Sequence, residues 1–114
     1  MATLEAPAND MLGTAKSREV QRAMFAEMRG DKKDAAEHYL AAAHMEIVLA
    51  KDHARANKKW LHLRSMVSAA SCFWMAGQID VARKYFRRIL RNNPDRKKIV
   101  QEAVASLKKD YPAK

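Results

Sequence analysis

The chain has 114 residues, 22 Lys and Arg against 13 Asp and Glu, and a formal net charge of +9, enough for one domain with a real core and too little for a catalytic domain joined to a second module. Three Gly, three Pro and an abundance of Ala, Lys, Arg, Met and Leu form the vocabulary of helices, so the expected class is all-α. The lone cysteine, Cys72, excludes an internal disulfide, and with no signal-peptide-like start and no run of about eighteen apolar residues the chain reads as a soluble, cytoplasmic protein without a membrane span.

Residues 1–13, with Pro7 and Gly13 among small residues, show no sustained periodicity and read as a flexible N-terminus ahead of a single domain over 14–114. A first helix is expected from Thr14 or Ser17 to Arg29, with Val20, Ala23, Met24 and Met28 on one side and Gly30-Asp31 as its stop. From Lys32, Ala36, Leu40, Ala43, Ile47 and Ala50 recur at spacings of four and three, one face of a second helix. A third helix carries two stripes, Trp60, Leu63, Val67, Ala70 and Trp74 beside Met66, Ala69 and Phe73, the pattern of a helix packed between neighbours.

No Gly or Pro separates the second and third helices, yet an unbroken helix from Lys32 to Ala76 would be roughly 70 Å long, so a turn is expected within Ala50 to Asn57, with Asp52 or Asn57 capping the third helix. Gly77-Gln78 ends the third helix. Ile79, Ala82, Phe86 and Ile89 mark the inner face of a fourth that stops at Asn92-Asn93, and Asn93-Pro94-Asp95 supplies a cap, a first-turn proline and a first-turn acid for a fifth. That helix is expected to reach about Lys109, with Ile99 or Val100, Ala103, Val104 and Leu107 as its stripe and Tyr111-Pro112 as its end.

Residues 63–94 resemble a tetratricopeptide repeat: Met66, Ala69, Ala70 and Phe73 fall on the large and small positions of its first helix, Gly77 on the turn, Ala82, Phe86 and Ile89 on its second helix, and Pro94 on its closing position. A degenerate second copy aligns over 17–47 through Gly30, Ala35, Tyr39 and Ala42, with Glu19 and Arg22 at positions the family keeps apolar and Ile47 at the closing proline. The two turn glycines are 47 residues apart, against about 34 in the family, which implies an insertion of about 13 residues around 50–62. The resemblance implies about five antiparallel helices, hairpins plus a C-terminal capping helix.

It also implies a non-catalytic module that holds a protein or peptide on the surface of the first helix of each hairpin, here Arg64, Val67, Ser71, Trp74 and Met75. The family's clamp for terminal carboxylates has Lys or Asn where Val67 and Ser71 stand, so an apolar or mixed ligand suits these side chains better. Val67 and Trp74 equally continue the Trp60-Leu63 stripe and would then pack on the preceding helix; in an open groove Trp60 and Trp74 would be the anchors.

Charge points to a second surface. Residues 1–57 hold 8 Lys/Arg and 9 Asp/Glu, whereas residues 58–114 hold 14 and 4. Arg83, Arg87 and Arg91, and Lys84 and Arg88, sit four apart on the outer side of the fourth helix, and Arg96, Lys97 and Lys98 lie just past the turn. Like charges at that spacing cost about 0.2–0.5 kcal/mol per pair. Such a face is either a solvated, solubilising surface or a contact for an acidic partner, whether an acidic protein segment, nucleic acid held through its phosphates or an anionic membrane surface.

No recognised nucleic-acid motif is present, which excludes sequence-specific readout. His38, His44, His53 and His62 form no helical metal pair, and His62 and Cys72 lie ten residues apart, about 15 Å along a helix and on opposite sides. No enzyme, metal or cofactor is therefore expected. Two hairpins and a cap fall short of the about three repeats that close a continuous core, which makes self-association an expectation.

Overall fold

Three turns of one kind divide the chain. In the computed structural model, which describes residues 2–113 and the side chains from Asp10 to Ala113, helices α1 (Ala2–Met28), α2 (Lys32–Arg55), α3 (Lys59–Met75) and α4 (Ile79–Asn92) are followed by a 3-10 turn (Pro94–Arg96) and α5 (Lys97–Asp110). Gly30, Asn57 and Gly77 come after the first three helices in the left-handed region, at φ 78°, 58° and 84°. Each lets the chain fold back on the helix it leaves: Asp31 N–H reaches Ala26 O (2.9 Å), Lys58 N–H reaches His53 O (2.9 Å) and Gln78 N–H reaches Phe73 O (2.8 Å).

The break after α2 thus rests on Asn57, one of the few residues besides glycine that takes this conformation readily. Its role differs from the expected one, since neither Asn57 nor Asp52 caps α3; Lys58 stands at the cap position and makes no side-chain cap bond. Asn93 is reassigned in the same way: its Nδ2 donates back to Ile89 O (3.1 Å) and closes α4. Pro94 opens the 3-10 turn, and α5 proper starts at Lys97.

The first helix also starts elsewhere than expected. It begins at Ala2 and runs through Gly13, because Thr14 does not cap it; its Oγ1 donates to Asp10 O (2.9 Å) one turn back within the same helix.

Packing is sequential: α1 lies on α2, α2 on α3, α3 on α4, and α5 lies on α3 and α4. The main core gathers Leu63, Met66, Phe73, Trp74, Phe86, Ile89, Val100 and Leu107 around Ala42, Ala43, Ala70 and Ala82, whose small side chains let the helices approach closely. A smaller cluster of Ala23, Ala26, Ala35 and Tyr39 joins α1 to α2.

α2 is therefore apolar on two sides. Leu40, Ile47 and Ala50 belong to the main core, while Ala35 and Tyr39 meet α1. The second stripe escapes a periodicity search because it also contains Glu46, which is buried and paired with Lys16 Nζ of α1 at 3.8 Å.

Candidate interaction surface

On α3, Arg64, Val67, Ser71 and Met75 form one strip, with Arg64 exposed and the other three partly so. Ser71 spends its hydroxyl on Val67 O (2.8 Å), one turn back along its own helix, which leaves the strip no free side-chain hydroxyl donor.

Trp74 does not belong to that strip. It is 1% exposed, its Nε1 donates to Tyr111 O (2.8 Å), and the Arg83 guanidinium covers its ring at 5.6 Å. It is a core side chain, because the chain beyond α5 folds back over it. An indole N–H would be costly to bury without this acceptor.

Tyr111 continues the same junction. Its hydroxyl donates to Glu27 Oε1 (3.2 Å), and the buried Tyr39 hydroxyl donates to the same oxygen. The two rings meet edge to face at 6.5 Å. Burial, helped by the Glu27 carboxylate, pushes both phenols above their ordinary range, so both stay protonated as donors. One carboxylate of α1 thereby ties α2 to the end of the chain; no local signal marks the pairing, since the contacts span 12 and 84 residues.

The eight cations singled out in the sequence are all exposed. Arg83, Lys84, Arg87, Arg88 and Arg91 project opposite the buried Ala82, Phe86 and Ile89 of α4, and Arg96, Lys97 and Lys98 follow beyond its end. Among the described residues only Arg96 of these eight has a carboxylate within 4 Å, the adjacent Asp95 at 3.7 Å. In the N-terminal half four of the eight Lys and Arg are paired among the described residues, Lys16 with Glu46, Arg22 with Glu19, Arg29 with Asp34 and Arg55 with Asp52.

Three of the eight cations rest on aromatic rings: Arg83 on Trp74, Arg88 on Tyr85 at 5.5 Å, and Arg96 on Trp60 at 5.3 Å. A guanidinium lying over a ring is steadied without losing its in-plane N–H donors, so it stays ready for a carboxylate or phosphate.

Beside Arg83 and Arg87, α4 and α5 diverge and leave an open groove of ≈ 410 Å³. Trp74, Phe86 and Val100 form its floor, Leu90 and Val104 its walls, and Arg83, Arg87 and Lys108 its rim, with no carboxylate in the lining. Leu90 and Lys108 were not legible as site residues, because a half-buried leucine at the edge of a stripe looks like ordinary core.

Two of the histidines join neighbouring helices. His62 Nδ1 bonds to Ala50 O (2.8 Å) and ties α3 to α2. His38 Nδ1 sits 2.6 Å from Glu19 Oε2, a hydrogen bond that holds the Glu19 carboxyl below its usual range and joins α1 to α2. Cys72 is buried, which pushes its thiol up to about 11. It is a protonated core residue at neutral pH, so a thiol reagent such as 5,5′-dithiobis(2-nitrobenzoate) at pH 7.5 should leave it unmodified in the native protein and titrate one thiol in 6 M guanidinium.

Among the described residues no group of three His, Cys, Asp or Glu is placed to hold a metal, and no helix is long and apolar enough to cross a membrane. Compared with family models, curated proteins and solved structures, the chain matches none.

Proposed function

We propose that this chain is a non-catalytic interaction module of the tetratricopeptide-repeat type, working in the cytoplasm, whose α4–α5 side holds an acidic segment of another protein. The observation that carries this reading is an apolar groove rimmed by cations that have no carboxylate of their own. A bound segment would place apolar side chains on Phe86, Leu90 and Val104 and carboxylates against Arg83, Arg87 and Lys108. The apolar contacts would supply affinity, while the cations would set orientation and on-rate. The α3 strip of Arg64, Val67, Ser71 and Met75 is the flatter alternative surface for the same class of partner.

A second reading is nucleic-acid binding without sequence preference. It is favoured by Trp60, 48% exposed beside Arg96, since an exposed ring next to cations can stack on a base.

Fluorescence anisotropy separates the two. A labelled peptide alternating Leu with Glu and Asp, a single-stranded RNA and a duplex DNA are titrated at 50 and 200 mM salt. A variant with Arg83, Arg87, Arg88 and Arg91 changed to Gln serves as control. Peptide binding that weakens at least tenfold in this variant and in Leu90→Glu supports the protein-partner reading. Preferential RNA or DNA binding that falls by about 10³-fold or more between the two salts moves the assignment to phosphate contacts. No binding of any probe at 50 mM salt overturns both and leaves the face as a solubilising surface.

A further inference from the structure

A further cleft opens where the C-terminal ends of α2 and α4 meet the first turns of α3, and it shares no lining residue with the α4–α5 groove. Its volume is ≈ 360 Å³, at the small end of ligand pockets, which run from about 300 to 1,000 Å³. The floor is aliphatic, with Leu63, Met66 and Ile89 buried and Ile47 half-buried. Polar groups reach it from three helices: Lys51 of α2, His62 of α3, and Arg88 and Asn92 of α4, which lie one turn apart. No Asp or Glu lines it.

Two of these groups are held by their neighbours. The Tyr85 ring stacks on the buried Phe73 (5.4 Å, 14°), and the Arg88 guanidinium lies over Tyr85 at 5.5 Å, which steadies it and leaves its in-plane N–H donors open. His62 has spent Nδ1 on Ala50 O, so Nε2 is the nitrogen it has left for a ligand. Asp52 and Asp95, the acids nearest to Lys51 and Arg88 along the chain, are paired with Arg55 and Arg96 instead. Two cations above an aliphatic floor, with no counter-ion of their own, complement one anionic head on an apolar body.

We propose that this cleft binds a small aliphatic carboxylate of the medium-chain fatty-acid class, its head on Arg88 and Lys51 and its tail over Leu63, Met66 and Ile89. The Arg88 fork matches the two oxygens of a carboxylate. Met66 is unbranched and polarizable and adapts to a flexible tail. A bare inorganic anion would leave the floor wet. An aryl group or a base finds little to stack on, because the Tyr85 ring is already covered by Phe73 and Arg88. The site stands independently of the acidic-segment reading, which uses Arg83, Arg87 and Lys108.

Titration of octanoate, up to about 10 mM at fixed ionic strength, into the nitrogen-15-labelled full chain tests this, with amide shifts followed by NMR. The expected result is a saturable set of shifts confined to the surroundings of Lys51, His62 to Met66 and Arg88 to Asn92, with a Kd on the order of 1 mM or below. Octanamide keeps the tail without the charge and inorganic phosphate the charge without the tail, so each should bind at least about tenfold more weakly. Arg88→Gln should weaken octanoate binding by about tenfold. Arg91→Gln removes an equally exposed cation of α4 that does not line this cleft and should leave the Kd unchanged. Both variants should keep the parent's circular-dichroism melting curve, since both side chains are exposed. A titration that does not saturate, shifts centred elsewhere, octanamide or phosphate binding as tightly as octanoate, or an equal effect of the two substitutions overturns the proposal.

Discussion

Replacing Trp74 with alanine lowers the unfolding free energy by about 3–5 kcal/mol, the range for deleting a buried indole from a core that cannot collapse around the space. The site is a junction: Trp74 is 1% exposed, belongs to the main cluster and bonds Tyr111 O. Its loss removes packing shared by α3, α4 and α5 and leaves a carbonyl without its donor. Urea unfolding monitored by circular dichroism reads the effect as a lower midpoint at unchanged slope. Domains of this size are stable by about 5–15 kcal/mol, so the variant should be near the edge of folding at 37 °C. Trp74→Phe keeps most of the volume and should cost less, while the exposed Trp60→Ala should stay within about 0.5 kcal/mol of the parent.

A loss of about 2 kcal/mol is expected from Glu27→Ala, although the substitution removes only a small, partly exposed side chain. The cost lies in the groups that remain: the Tyr39 hydroxyl is buried and loses its acceptor, and a buried donor left unpaired costs about 1–3 kcal/mol. Tyr111 loses the same anchor. Its amide region and that of Trp74 should exchange hydrogen faster in the variant, while α4 keeps its protection. Tyr39→Phe removes the donor instead of orphaning it and should cost less. Adding Glu27→Ala to that background should cost less than the single change does, the signature of a coupled pair in a double-mutant cycle.

How much of the fold and of the candidate surface is legible in the sequence depends on the range of the interactions concerned. Helix faces on α3, α4 and α5 are set by spacings of three and four residues, and Ala69, Ala70, Phe73, Ala82, Phe86 and Ile89 are buried as their spacing requires. Gly30 and Gly77 mark turns because few other residues take positive φ at little cost. The basic side of α4 comes from the same periodicity, since residues four apart share a face wherever the helix packs. The stop after α2 is visible only as a length constraint; that Asn57 rather than Asp52 makes it depends on which residue can tolerate φ 58° where α2 must reverse onto α3.

The sequence by itself determined the local order of this protein: five helices, the residues that face inward on most of them, and a second half whose cations outnumber its carboxylates. Short-range backbone sterics and side-chain periodicity decide those features, and both are written in consecutive residues. Only the tertiary structure decided that Trp74 lies beneath the chain end, that Glu27 is shared by Tyr39 and Tyr111, that Glu46 is buried and paired with Lys16, and that no carboxylate among the described residues meets the cations of α4. Those outcomes depend on contacts up to 84 residues apart. A charged or aromatic side chain has the same local signature whether a partner meets it or solvent does, so its role emerges only when the helices are packed.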